Sequence, residues 1–160
     1  MIRNSAKAFV WDGSRLLLNS HRDSAGGEYF DLPGGGQHPY ETMEEAVVRE
    51  VREETGLTVE PVRFLALAEE IFTNEDMRRR FPEYCHRTMH IFLVRVLPGE
   101  PGTIAEPDFQ QTGSRWVAPV EAEALPLVPL QLRGRVRELL AAPGPVYLGS
   151  LRRDEVCMKR

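Results

Sequence analysis

Residues 33–57 constrain this chain more than any other stretch. Pro33-Gly34-Gly35-Gly36 cannot continue a regular element, because proline lacks an N–H donor and consecutive glycines leave the backbone unrestrained. The chain must turn sharply there. Thr42 followed three residues later by Glu45 is a capping-box signature, and Gly56 stands where a C-terminal cap belongs, which predicts a helix over Thr42–Thr55. On a wheel of about 100° per residue with Met43 at zero, Ala46, Val47 and Val51 fall at about 300, 40 and 80° and define a buried face. Glu50 and Glu54 fall at about 340 and 20°, inside that face, with Glu53 beside them at about 280°. Glu45, Arg49 and Arg52 take the opposite, solvated side, where Glu45 and Arg49 form an i,i+4 pair.

Two like-charged carboxylates four residues apart repel, and the repulsion grows when they are desolvated. Either one carboxyl is protonated or a hard divalent cation lies between them. Three glutamates within one turn match the oxygen preference of Mg²⁺, which favours the cation. A solvated acidic face on a frayed helix is the alternative.

The rest of the chain gives the frame. With 160 residues, 42% hydrophobic and 28% charged, it suits one globular domain and excludes collagenous, disordered and disulfide-stapled classes. No apolar run approaches a bilayer span, and Met1 to Ser5 lacks a basic then apolar leader, so a cytoplasmic protein with no membrane partner is expected. A net charge of -4 argues against long nucleic acid as a partner and leaves small anionic substrates open. Cys85 and Cys157 do not stand at zinc-ligand spacing, and Cys85 reads as a small, partly buried residue. A hairpin is predicted from Ser5–Val10 and Arg15–Leu18 around Asp12-Gly13, with further strands over Tyr29–Leu32, Val62–Phe72, Thr88–Val96 and Gly113–Ala118. Thr73–His86 and Pro98–Gln111 read as long connections, Leu130–Ala141 as a second helix, and Tyr147–Arg160 stays unassigned. Strands interleaved with two helices predict an α/β sandwich on a mixed sheet.

From Gly35 to Leu57 the residues GGQHPYETMEEAVVREVREETGL fit the pattern GX5EX7REUXEEXGU, with U bulky and aliphatic, at Gly35, Glu41, Arg49, Glu50, Val51, Glu53, Glu54, Gly56 and Leu57. The stretch resembles the Nudix box, and Phe30 before Leu32-Pro33-Gly34-Gly35 and Trp116 on a late strand are similar to features flanking it in that family. The resemblance implies a Nudix-type α/β/α sandwich with a mixed β-sheet, one domain over 1–160, and hydrolysis of a diphosphate linkage with Mg²⁺ or Mn²⁺. It implies Glu50, Glu53, Glu54 and the Gly35 carbonyl as metal ligands, and Glu41 and Arg49 as orienting residues. Glu50, Glu54 and Arg49 form the implied catalytic set, Glu50 being the leading base. Glu106 and Asp108, in the loop before Trp116, are weaker candidates for the base.

The implied substrate is a small nucleoside di- or triphosphate or nucleoside diphosphate derivative. For binding it, Arg22, Phe30 and the run Arg78-Arg79-Arg80 are the candidates, with Phe81 or Tyr84 stacking on a base. His86 and His90 share a strand face and are further pocket candidates. A proline marking ADP-ribose enzymes or a tyrosine marking dinucleoside polyphosphate enzymes beyond the box is absent, those positions being Phe72, Thr73, Asn74 and Glu75. Members of the family are often dimers, so the resemblance leaves a homodimer open, and the sequence itself does not settle the oligomeric state. The competing readings are a sensor that binds nucleotide or nucleotide sugar without cleaving it, and an isoprenoid diphosphate isomerase, for which neither cysteine has a supporting context.

Overall fold

A computed structural model of the chain describes residues 1–154. In chain order the elements are β1 (Arg3–Trp11), β2 (Leu16–Arg22), β3 (Glu28–Asp31), β4 (Gly34–Gly36), α1 (Met43–Thr55), β5 (Val59–Phe72), α2 (Glu75–Arg80), β6 (His86–Val96), β7 (Gln111–Val117), α3 (Pro119–Ala124), β8 (Leu127–Val128), α4 (Val136–Ala141) and β9 (Val146–Arg153). Asp12 builds the first turn, its Oδ1 accepting the N–H groups of Ser14 and Arg15 at 2.9 and 2.7 Å. Capping fixes α1 at both ends: the Thr42 and Glu45 side chains and N–H groups bond reciprocally, and Gly56 adopts the left-handed conformation at φ 75°.

All strands join one mixed sheet in the order β8-β3-β2-β1-β6-β5-β9, with β4 pairing β1 and β7 pairing β2. The β1/β6, β3/β8 and β5/β9 pairs are parallel and the remainder antiparallel. Alternation along β1 sends Ala6, Ala8 and Val10 to one face, where α1 packs Ala46, Val47 and Val51 on them. Phe9 faces the other way, into a cluster with Phe30, Leu65, Ile91, Ala122, Leu132, Val136 and Leu139, so α3 and α4 cover the second face. Helices on both faces of a mixed sheet make the α/β/α sandwich expected from the sequence. No helix among the described residues is long and apolar enough to cross a membrane.

Several elements depart from the sequence reading. The glycine run does turn, yet Gly34–Gly36 also pairs as β4 with Ser5, Ala6 and Lys7. Glycine permits this: Gly34 has φ 134°, and a Cβ there would lie 2.1 Å from the Ala6 carbonyl oxygen. The Thr73–His86 connection is not structureless, since Asn74 caps α2 by accepting the Met77 N–H at 3.0 Å and a 3₁₀ turn follows over Pro82–Tyr84. The helix predicted over Leu130–Ala141 is split, because Gly134 at φ 71° separates a 3₁₀ turn (Leu130–Leu132) from α4. Ordered structure in α3, β8 and β9 lies outside the predicted elements. The expected Glu45–Arg49 pair does not form: Glu45 turns back to cap Thr42, and Arg49 reaches Glu41. Cys85 is buried, its Sγ donating to the Phe81 carbonyl at 3.2 Å, whereas Cys157 lies outside the described residues.

Candidate active site

The capped helix aims its carboxylates as the wheel requires. Glu54 is 3% exposed, and its Oε2 accepts hydrogen bonds from Asn19 Nδ2 at 2.7 Å and from the Gly34 N–H at 2.9 Å. Glu50 lies against the glycine turn so closely that a Cβ on Gly35 would sit 2.6 Å from its Oε2. Arg49 organises the outer part of the cluster. Its Nε and Nη2 donate to Glu41 Oε1 and Oε2 at 2.7 and 2.9 Å, and Nη1 donates to Glu50 Oε1 and Glu53 Oε2 at 2.8 and 3.1 Å. A further bond from Nη2 to the Gly36 carbonyl, at 3.0 Å, ties helix to turn. The chain thus pins each of Glu50, Glu53 and Glu54 by one oxygen and leaves the other for a ligand. Hard carboxylate oxygens beside a backbone that lacks side chains suit a divalent cation and a diphosphate.

Burial pushes the Glu54 carboxyl up to about 8, with Asp31 and Asp108 adding to the rise and Lys7 opposing it. Glu41 moves the other way, to about 2, because the Arg49 guanidinium bonds its charged form. Burial alone would lower the Lys7 ammonium, but the carboxylates of Asp31 and Glu54 outweigh it and raise the pKa. Lys7 donates to Asp31 Oδ2 at 3.1 Å, to the Leu32 carbonyl at 3.1 Å and to the Gly34 carbonyl at 2.5 Å, so it clasps the turn from below.

The loop over residues 97–110 closes the site. The N–H groups of Ala105 and Glu106 donate to the Glu53 carbonyl at 3.0 and 3.2 Å, and that of Gly102 donates to Gly56 at 2.7 Å. Deeper in, His21 places Nδ1 3.1 Å from the Phe109 carbonyl and Nε2 2.9 Å from Asp31 Oδ1. Asp108 and Phe109 are thereby carried onto the border of two cavities of about 400 and 300 Å³, which both include Glu50 and Glu54. His21, Asp31 and Asp108 bring ligand atoms within 4.8 Å of one another, a convergence the three box glutamates do not reach. That trio is poorly suited to a cation, because both His21 nitrogens have partners and the Lys7 ammonium already bonds Asp31.

The predicted residues divide accordingly. Gly35, Arg49, Glu50, Glu53 and Glu54 come together, and Glu106 and Asp108 join them from the loop. Phe30 is 1% exposed within the core, with Arg115 over its ring at 4.6 Å, so it presents no face to a substrate. Arg22 is exposed at the end of β2 and lines neither cavity. Arg78, Arg79 and Arg80 are exposed on α2, where Arg78 bonds the Phe72 carbonyl and Arg80 pairs with Asp76, and none lines either of these two cavities. Their connection contributes Tyr84 instead. His86 pairs with Glu69 at 2.8 Å and the His90 ring lies tilted at 38° beside Phe64, and neither lines the two cavities. Sequence reasoning missed Arg3, Lys7, Asn19, His21, Asp31 and Arg87. Lys7 alone carried a signal, as a charge within the apolar run Ser5–Val10.

A helix-borne carboxylate cluster facing a glycine turn, inside an α/β/α sandwich, is the arrangement that the box in the sequence leads one to expect. The NUDIX domain family matches residues 1–140, and the chain belongs to that family. YtkD of Bacillus subtilis (strain 168), named for 8-oxo-dGTP diphosphatase activity, is 42% identical over 53 residues, covering 33% of this chain and 31% of that protein. Nudix hydrolase 1 of Caenorhabditis elegans is 32% identical over 124 residues, 78% of this chain and 29% of that one. The chain thus matches less than a third of the length of either relative. The crystal structure of a MutT NUDIX hydrolase from Burkholderia pseudomallei superposes with a TM-score of 0.58 at 27% identity, covering 88% of this chain and 96% of that one.

Proposed function

We propose that the chain, one Nudix domain over 1–160, is a metal-dependent pyrophosphohydrolase that cleaves the diphosphate linkage of a nucleoside di- or triphosphate or a nucleoside diphosphate derivative. The observation that carries this reading is that Glu50, Glu53 and Glu54 each keep one oxygen uncommitted beside the side-chain-free turn at Gly35. Mg²⁺ or Mn²⁺ bound there supplies charge neutralisation for diphosphate oxygens and acidity to a coordinated water. The chain does the rest. Glu50, Glu53, Glu54 and the Gly35 carbonyl would hold the cation, and Arg49 holds Glu50 and Glu53 in their rotamers. Gly34–Gly36 let the diphosphate approach the backbone, with Lys7 keeping the turn in place. Glu50 is also the assigned base: its Oε2, not engaged by Arg49, would take the proton of the attacking water while Glu53, Glu54 and the Gly35 carbonyl keep the cation. Asp108 closes the site from the loop side.

The test is a panel of nucleoside triphosphates including 8-oxo-dGTP, nucleotide sugars, ADP-ribose, dinucleoside polyphosphates and NADH, assayed with Mg²⁺ and with Mn²⁺. Cleavage of at least one member, dependent on the ion and lost in Glu54→Gln, is expected. Tight binding of one member with no cleavage of any would replace the enzyme with a sensor.

A further inference from the structure

Three cations line the cavity beside Gly35, and their situations differ. Lys7 is committed to Asp31 and the turn carbonyls. Arg87 gives Nε and Nη2 to Glu70 Oε2 at 3.0 and 2.5 Å. Arg3 lies with its guanidinium carbon 4.9 Å from the centre of the Tyr84 ring and makes no hydrogen bond or ion pair with any described residue. Half-buried over that aromatic face, Arg3 is also part of the cavity wall, and a guanidinium seated over a ring keeps its N–H donors for other acceptors.

The neighbouring backbone is shaped around it. Gly36 pairs with Ser5, and a Cβ on Gly36 would lie 2.5 Å from Arg3 Nη2 and 2.9 Å from its Cζ. Gly36 has no positive φ, so its backbone tolerates a side chain and only the guanidinium forbids one. The next residue back, Gly35, faces the Glu50 carboxylate, and the two glycines are a single Cα step of about 3.8 Å apart. An unpaired cation one residue from the metal-side turn is within reach of the phosphate chain.

We infer that Arg3 is a phosphate-binding residue: stacked on Tyr84 and admitted by Gly36, it donates to non-bridging oxygens of the diphosphate bound at Gly35 and Glu50. The inference rests on reading the site as one for diphosphate substrates. It assigns Gly36 a role separate from the turn, because that position must stay free of a side chain for Arg3 to dock.

The experiment compares Arg3→Ala, Arg3→Lys, Gly36→Ala and the Arg3→Ala/Gly36→Ala double variant, with thermal melts confirming folding. KM for the best panel substrate is expected to rise about tenfold in Arg3→Ala and in Gly36→Ala, with kcat within about threefold, since each removes a charge-assisted hydrogen bond from substrate binding. Arg3→Lys should recover part of the loss, and the double variant should be no worse than Arg3→Ala. Calorimetry with methylenediphosphonate and with α,β-methylene-ADP, both in Mg²⁺, should show the same pattern without turnover. Unchanged KM in either single variant, or losses that multiply in the double, would overturn the assignment. So would weakened binding of the nucleotide alone, which would move Arg3 to the nucleoside. If the parent cleaves no panel member, the hydrolase reading fails, while methylenediphosphonate binding still decides the role of Arg3.

Discussion

The proposed site asks Glu54 to be a metal ligand while it is buried. Its carboxyl sits at about 8 in the fold against an ordinary 4.5, so folding favours the protonated form. That contribution to stability is fully present below about 4.5 and disappears as pH rises through about 8, because the unfolded chain ionises first. In EDTA, urea midpoints should therefore fall between pH 5 and 8 in the parent and fall less in Glu54→Gln, which has no proton to lose. A parallel pH profile in the two proteins would remove Glu54 as the cause. Glu41 acts oppositely: held at about 2 by Arg49, it supports the fold above 4.5 and loses that support as pH falls toward 2. A cation must displace the Glu54 proton, so Mg²⁺ should bind more tightly as pH approaches 8 and release protons as it does so. Glu53→Gln and Glu54→Gln should each lower turnover by about a hundredfold or more at saturating Mg²⁺, at least the loss seen when groups supporting a metal are removed. These residues were legible in the sequence because one capped helix sets their spacing. Lys7, Asn19, His21 and Asp31 were not, because what unites them with Glu54 is the register of β1 on β4 and β2 on β3.

At the level of elements, α1 and the 97–110 loop form one unit joined at Gly56. The cap glycine takes φ 75°, and a Cβ there would meet the Gly102 carbonyl oxygen at 2.2 Å. Gly56→Ala should consequently do more than impose the roughly 1 kcal/mol of a strained left-handed residue. It should push Gly102 off the helix end and shift Glu106 and Asp108, so kcat should fall even where melts show a folded protein. Normal kcat in a folded Gly56→Ala protein would show that the loop positions nothing for the reaction. At the opposite end, Thr42→Ala should cost about 1 kcal/mol through the lost cap, with little kinetic effect. The sequence carried both caps but not the docking. Its loop residues have no periodicity, and their partners are backbone carbonyls of Glu53 and Gly56, which any side chain could present. The split of the predicted second helix was concealed for a similar reason, since Gly134 is tolerable in a helix until its left-handed φ is known.

Across the whole molecule, charge is placed by the sheet rather than by runs in the chain. Arg78, Arg79 and Arg80 look like a phosphate clamp in sequence, yet α2 holds them outside both cavities. Replacing all three with alanine should leave KM and kcat within about twofold of the parent, as surface charges screened by salt act weakly. Two further cations, one of them on the cavity wall, are held by Glu70, a residue of 0% exposure on β5. It accepts Arg87 from β6 and Arg153 from β9, at 2.5 and 3.3 Å, and so links three neighbouring strands from the sheet edge to the cavity wall. Neutralising that carboxylate leaves two guanidinium groups at 12% and 15% side-chain exposure with no counter-charge from it. Glu70→Ala should lose about 3–5 kcal/mol, the cost of breaking a buried pair, in urea unfolding. Arg153→Ala should lose less, because Arg87 still neutralises Glu70, and Glu70→Gln should fall between by keeping a hydrogen-bond acceptor. If Arg153→Ala proves as damaging as Glu70→Ala, the strength of this region lies in β9 packing, where Leu148 joins the core, rather than in the shared carboxylate.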